Sequence, residues 1–255
     1  MAIKGLSDIR RLPRAGKIHL GIKKTNEAGN DYPAKVDYFV LPDDRPDLKE
    51  ILGEKPRDLS IRFPVEDKDL IAPQWYKRYG SGSSRPLCRG DGETAICAVV
   101  AKDPKTGKMA PTGELEEIEC SGRDCEHYQS KHCRHTMNLM FILEQVVDGG
   151  VFQLDTSSFH SIVNFNSSWD YIRALTGGRI AMVPLKLRLI PKEVTPPSGK
   201  KLVYVLELCL AERMSLSAAM ISVTTRMPTV ARMKRLASSS KVKIHHSSLS
   251  SVVSP

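Results

Sequence analysis

The sequence lacks any long apolar run, and no stretch approaches the ~18–20 consecutive apolar residues of a membrane-spanning helix. The opening segment MAIKGLSDIRRLPRAGK also lacks the apolar core of a signal peptide, so we expect neither a membrane anchor nor secretion. Hydrophobic residues make up 41% and charged residues 26%, which excludes wholesale disorder. A chain of 255 residues is long enough to bury a core as one large domain or two small ones.

Acidic residues are absent after Glu212, although that last stretch contains seven of the 38 Lys and Arg residues. Residues 1–212 therefore hold 31 Lys and Arg against 29 Asp and Glu, so the net charge of +9 falls to +2 there. A groove that follows a nucleic acid backbone needs a clustered excess of positive charge. Composition thus favours a polyanion-binding tail over a nucleic-acid-binding core.

Catalytic motifs are also missing: there is no nucleophile elbow, no HExxH and no paired acidic motif. His160 lies beside Ser157, Ser158 and Ser161, but hydroxyl residues at this position are better explained as helix N-caps and helix surface. The glycine-rich segment 80–84 is not followed by the Lys-Ser/Thr of a phosphate-binding loop. The sequence predicts that the protein is not an enzyme.

Alternating apolar residues predict mostly antiparallel strands joined by turns rich in Gly and Pro. We expect three hairpins, at residues 17–41, 94–120 and 182–210, and further strands at 59–65, 137–146 and 151–155. Pro64 predicts that the strand at 59–65 lies at a sheet edge.

Helices are expected at three places. One follows an Asp44 N-cap and ends at Gly53, and another spans residues 156–175 and stops at Gly177. A helical turn is expected after Pro73.

These elements together predict an α+β fold, mostly antiparallel strands with a few helices, a small cysteine-rich zinc-stapled subregion and a flexible basic tail. We expect a single domain over residues 1–212, with the zinc subregion at about 86–136. Residues 213–255 are expected to be a partly disordered basic appendage.

The strongest chemical signal is a group of three cysteines, Cys120, Cys125 and Cys133, on a polar stretch that cannot form its own core. Six cysteines in a chain without an export signal favour metal ligands or buried thiols over disulfides. Structural Zn²⁺ needs four ligands in a tetrahedron. Cys88 is the predicted fourth ligand, because the turn that enters the strand at 94–101 should lie beside the segment that leaves its partner strand.

Three histidines remain competing fourth ligands: His127, His132 and His135. Cys97 and Cys209 lie among apolar residues within strands and are expected to be core thiols. A site with four cysteine ligands leaves no open position for water, so we expect a structural metal rather than a catalytic one.

Several segments resemble one known family: RLPRAGKIHLGIK, YPAKVDYFV, LCRGDGETA, ECSGRDCEHYQSKHC, GVFQLDTSSFHSIVN and PLKLRLIPKEV. The chain resembles, over roughly residues 10–212, the phage recombination directionality factors of the actinophage type. This resemblance implies a protein that binds a large serine integrase in the cytoplasm of a bacterial host. It would switch recombination from integration to prophage excision by protein contact, with DNA contact indirect or weak and no small-molecule substrate.

Two alternatives stay open. One is a single-stranded-DNA-binding accessory protein with an OB-like core, in which Trp75, Tyr76 and Tyr79 would stack on bases, although core packing explains these rings better. The other is a metal-dependent hydrolase, which needs an open metal site that the sequence does not display.

Overall fold

The computed structural model describes residues 3–4, 11–27, 29–80, 84–102, 104, 107, 109–146, 149–196 and 199–211. The predicted basic appendage at 213–255 lies outside these residues. The strands are β1 (Arg14–Thr25), β2 (Asp31–Val40), β3 (Asp58–Arg62), β4 (Gln74–Tyr79), β5 (Pro86–Gly90), β6 (Thr94–Lys102), β7 (Met109–Glu119), β8 (Cys133–Leu143), β9 (Val151–Thr156), β10 (Leu185–Val194) and β11 (Lys201–Leu210). The helices are α1 (Pro46–Leu52), α2 (Lys68–Ile71), α3 (Glu126–Gln129) and α4 (Phe159–Leu175).

The fold is α+β with a mostly antiparallel sheet, as the alternating pattern predicts. Strands follow one another across the sheet in the order β11, β10, β3, β8, β4, β5, β6 and β7. The three predicted hairpins are confirmed as β1–β2, β6–β7 and β10–β11. The parallel pairing between β1 and β9 joins the first hairpin to the rest of the sheet.

Strand β8 is the centre of the fold because it pairs with three other strands. Its first half pairs with β4, its middle with β9, and its last residues with β3. Met137, Leu139 and Phe141 alternate along it and are fully buried. This period-two pattern places every second side chain of β8 in the core.

Two expectations about this region are wrong. Residues 74–79 form β4 rather than a helical turn, because β4 pairs with β5 on one edge and β8 on the other, and these long-range bonds outweigh local preference. Strand β3 lies between β10 and β8 rather than at an edge. Pro64 falls after the end of β3, so its missing N–H costs the sheet no hydrogen bond.

Helix α1 begins differently from the prediction. Its N-cap is Arg45 rather than Asp44, and no side chain caps the first turn. Pro46 begins the helix, where a missing N–H is tolerated. Gly53 ends it with a φ of 84°, as expected.

Helix α4 closes the core from one side. The Ser158 side chain accepts a hydrogen bond from the Ser161 amide at 3.4 Å and so caps the helix, as predicted. Phe165 and Trp169 are buried and pack against Phe63, with ring centroids 6.2 Å and 5.2 Å away. Among the described residues, no helix combines the length and apolar character needed to cross a bilayer.

Candidate functional site

Two of the predicted ligands, Cys88 on β5 and Cys133 at the start of β8, lie on either side of the same residue. Arg78 of β4 is directly opposite Cys88 on one side and directly opposite Cys133 on the other. Residues opposite each other in adjacent strands project from the same face of a sheet. The side chains of the two cysteines and Arg78 therefore share one face, at the end of the sheet near α3.

The other two predicted ligands, Cys120 and Cys125, lie on the segment that links β7 to α3. The Cys120 amide donates a hydrogen bond to the Glu93 carbonyl at 2.8 Å, which ties the end of β7 to the turn before β6. A 3-10 turn over Gly122–Asp124 follows, and Cys125 then precedes α3. The loop closure that the predicted β6–β7 hairpin implies is thus present.

Gly90, the last residue of β5, permits a close approach at this point. A Cβ atom on Gly90 would lie 2.7 Å from the Cys120 sulfur and 2.8 Å from the Thr94 carbonyl oxygen. Any side chain here would force the Cys120 thiol away from β5. Gly90 therefore allows Cys120 to approach the cysteines of the sheet.

The thiols of Cys88, Cys120, Cys125 and Cys133 are close enough to influence one another's ionisation. Burial raises the pKa of Cys133 to about 11, and repulsion from Cys88, Cys125 and Cys120 adds to the shift. Burial likewise raises the pKa of Cys88 to about 12, with further contributions from Cys97 and Cys120. We call Cys88, Cys120, Cys125 and Cys133 the thiol cluster.

The thiol cluster offers four sulfur donors to a metal ion. Within the described part of the chain, no three Cys, His, Asp or Glu side chains are placed closely enough to form a metal-binding group. The donor set is nevertheless suited to Zn²⁺, which prefers thiolate ligands. Arg78 lowers the pKa of both Cys88 and Cys133, and its buried Nε has no hydrogen-bond partner among the described residues. A positive group beside the cluster would offset the net negative charge of a zinc ion bound by four thiolates.

The position of Cys97 beside the thiol cluster was not indicated by the sequence. Cys97 is buried, as expected of a core thiol, but it lies directly opposite Cys88 in the β5–β6 pair and helps to raise the pKa of Cys88. The hairpin register, rather than any local motif, brings it beside the thiol cluster. Cys209, by contrast, lies on β11 with its sulfur 3.7 Å from the Lys186 carbonyl oxygen, away from the cluster.

The competing histidines have other contacts. His135 Nδ1 is hydrogen-bonded to the Tyr128 hydroxyl at 2.8 Å, and the His135 ring lies edge-on to Phe159. His132 Nδ1 is 3.0 Å from the Ser130 hydroxyl in an exposed position. These contacts favour Cys88 over His132 or His135 as the fourth member of the cluster.

The opposite face of the same sheet carries separated charges. Arg134, Lys77, Arg89, Ile96 and Glu117 form one row across β8, β4, β5, β6 and β7, since each is paired with the next. Burial lowers the pKa of Lys77, the nearby Asp155 carboxylate opposes this shift, and Arg89 adds to it. The row is therefore basic on β8, β4 and β5 and becomes apolar and acidic on β6 and β7.

The aromatic residues of the proposed stacking group do not all lie on the same face of β4. Trp75 is half-buried, and the Arg89 guanidinium lies 4.7 Å from its ring centroid. Tyr76, on the opposite face, packs edge-on against Tyr128 at 5.5 Å. Tyr79 is exposed at the end of β4. Because β4 is a strand and alternates its faces, Tyr76 projects away from Trp75 and Tyr79, and the three rings form neither one stacking platform nor one core.

The serine and histidine group at α4 has structural contacts. Ser161 is buried, and its hydroxyl accepts a hydrogen bond from the Leu206 amide at 3.1 Å. It is therefore not on the helix surface, where the sequence placed it. His160 Nδ1 lies 3.3 Å from Lys192 Nζ. These contacts attach α4 to β10 and β11.

These features define a class of protein: an antiparallel α+β domain with a thiol cluster under one sheet face and separated charges on the other. A sequence model of the Gp3-like family, described as recombination directionality factor-like, matches residues 15–211. The chain belongs to this family, which confirms the resemblance. Searches of curated proteins and of solved structures each returned no match.

Proposed function

We propose that the protein is a recombination directionality factor that binds a large serine integrase and switches site-specific recombination from integration to prophage excision. The observation that carries this proposal is the family match over residues 15–211. That match spans β1 to β11, which is all of the sheet. The proposed function therefore belongs to the folded domain and does not require residues 213–255.

The proposed mechanism is a population shift without chemistry by the factor itself. An integrase bound to DNA can adopt more than one arrangement, and the factor favours the arrangement that it binds more tightly. Moving such an equilibrium from 1:99 to 99:1 requires about 10⁴-fold tighter binding to the favoured arrangement. The factor would act in the cytoplasm of the bacterial host, where the integrase and its DNA sites meet.

The test is a recombination assay with a large serine integrase from the same genome. Purified integrase is incubated with the two hybrid attachment sites, with and without the factor, and excision products are counted. Binding of the factor to integrase is measured separately without DNA. Excision that depends on the factor, together with direct binding, supports the proposal, and the absence of both contradicts it.

A second candidate function is supported by the basic half of the charged row. Arg134, Lys77 and Arg89 lie beside Trp75, and a cationic sheet surface with one available ring is a feature of single-stranded-DNA binders. Two features count against this candidate: Trp75 is half-buried with Arg89 against its ring, and Tyr76 lies on the opposite face of β4. Titration of a labelled oligonucleotide with the wild type and Trp75→Ala tests it: salt-dependent, sub-micromolar binding that this variant loses would favour the alternative.

We also propose that the thiol cluster holds a structural Zn²⁺. The support is that four thiols from β5, β8 and the β7–α3 segment lie close together, with Cys133 buried, the other three half-buried and Arg78 beside Cys88 and Cys133. Deprotonated thiolates would repel one another in this half-buried position, and a bound cation would remove that repulsion. The metal would tie these three segments together and would leave no open position for catalysis if all four ligands are cysteines.

A further inference from the structure

The β6–β7 hairpin, which we call the ribbon, carries an unusual exposed apolar surface. Its paired residues place four large apolar side chains on the face opposite the thiol cluster. Their exposed fractions are 45% for Ile96, 40% for Val100, 64% for Met109 and 70% for Leu115. Contiguous exposed apolar side chains of this kind mark interaction surfaces more often than ordinary protein surface.

The ribbon is also a free sheet edge. Strand β7 is the last strand in the sheet order, and all of its residues from Pro111 to Glu119 are exposed. A strand of eleven residues extends about 37 Å at ~3.4 Å per residue. An edge this long presents unpaired backbone groups and accepts a partner readily.

The charge of β7 specifies which partner it accepts. The strand contains four glutamates and no lysine or arginine: Glu114, Glu116, Glu117 and Glu119. Within the residues that the structure describes, none of the four carboxylates has an ion-pair partner. A second copy of β7 would bring like charges together, which disfavours edge-to-edge pairing between two molecules of this chain.

We infer that the ribbon is the surface that docks on the integrase, and that it receives a segment with lysine or arginine beside apolar side chains. This inference rests on the proposed function. The apolar side chains supply buried area at the centre of the contact, and the glutamates supply charge complementarity around it. The thiol cluster lies at the base of the ribbon, because Cys120 directly follows β7 and Cys88 is opposite Cys97 of β6.

The experiment uses full-length protein and integrase without DNA, measured by titration. One ribbon variant removes apolar contact, Met109→Ser with Leu115→Ser, and another reverses charge, Glu114→Lys with Glu117→Lys. The matched controls are Leu202→Ser and Glu193→Lys, an exposed cross-strand pair on β11 and β10 at the other end of the sheet. Because all six positions are exposed, circular dichroism should show unchanged folding in every variant.

We expect each ribbon variant to weaken integrase binding at least about tenfold, the scale of a central interface residue, and each control to stay within about twofold. The charge-reversal variant should also lose most of the salt dependence of binding. If the wild type binds integrase and the ribbon variants bind it with the same affinity, the inference is overturned but the proposed function is not. Failure of the wild type to bind integrase overturns both.

The same variants, with one truncation, distinguish two other possible partners of the ribbon. Light scattering that shows a wild-type dimer, which the ribbon variants convert to a monomer, would assign the ribbon to self-association and overturn the inference. A truncation that ends at residue 211 and binds integrase more than about tenfold more tightly would assign the ribbon to the chain's own basic segment, with the same result.

Discussion

Cys88 and Cys133 face each other across a single strand, each paired with Arg78 of β4. They are 45 residues apart in sequence and belong to strands that are not adjacent. The arrangement explains why the pKa of each thiol is raised first by burial and then by neighbouring thiols. It also makes the thiol cluster a connection between β5, β8 and the β7–α3 segment.

The first prediction concerns the metal. Cys125→Ser should lose bound zinc and lower the free energy of unfolding by about 2 kcal/mol or more, since metal binding to such a site contributes to folding. Elemental analysis and thermal unfolding measure the two effects. Cys209→Ser, outside the thiol cluster, is the control and should keep its metal. Wild-type protein purified without chelator that contains less than about half a zinc per chain would contradict the proposal.

The second prediction concerns the close approach at Gly90. Gly90→Ala should destabilise the fold by about 1–3 kcal/mol, because the added Cβ would overlap the Cys120 sulfur. Denaturant unfolding measures this change. Gly29, whose added Cβ would meet no atom within 4 Å, has a positive φ of 77°, so Gly29→Asn, a residue that tolerates this conformation, is the matched control. An unchanged midpoint in Gly90→Ala would show that Cys120 moves aside freely.

The third prediction concerns pH. Burial alone would raise the pKa of Asp155, but hydrogen bonds from Gln153, Lys17 and Asn138 outweigh it and lower the pKa. A lowered folded-state pKa stabilises the protein above the unfolded value of about 3.9, and this contribution is lost as pH falls below it.

Asp155→Asn should therefore lower stability at neutral pH by about 1–2 kcal/mol and flatten the loss of stability in acid. Chemical unfolding between neutral pH and about pH 3 measures both effects. Asp170→Asn, at an exposed position on α4, is the control. If Asp155→Asn loses stability in acid as steeply as the wild type does, Asp155 makes no such contribution.

The fourth prediction tests the attachment of α4. Trp169 is fully buried against Phe63 and Phe165, so Trp169→Ala should cost about 3–5 kcal/mol. Tyr171→Ala lies on the same helix at a position that is 65% exposed and should change stability by about 0.5 kcal/mol or less. Equal effects of the two substitutions in denaturant unfolding would contradict this assignment of the core.

The fifth prediction concerns the basic C-terminal segment, which lies outside the described residues. Deleting residues 238–255 should leave folding and integrase binding intact, because the family match ends at residue 211. The deletion should weaken non-specific, salt-dependent binding to polyanions, because it removes basic residues. Binding measured by titration checks this, and loss of integrase affinity in the truncated protein would show that the segment takes part.

Much of the fold was predictable from local patterns. Alternating apolar residues located the three hairpins, and the hydroxyl-rich start and glycine pair located α4. These signals act over a few residues, where side-chain period and capping chemistry decide the structure. The four cysteines of the thiol cluster and the family were likewise recognisable in the sequence, although metal occupancy stays a prediction.

The tertiary structure decided what depends on pairing between distant segments. Residues 74–79 form a strand only because β5 and β8 bond to both of its edges, and Cys97 reaches Cys88 only through the β5–β6 register. The count of 31 basic and 29 acidic residues in residues 1–212 indicates a neutral domain. Strand order instead places Arg134, Lys77 and Arg89 at one end of a row and the acidic ribbon at the other. Composition sums charges over the chain, whereas a sheet arranges them in space, so only the fold determines where a partner meets positive or negative charge.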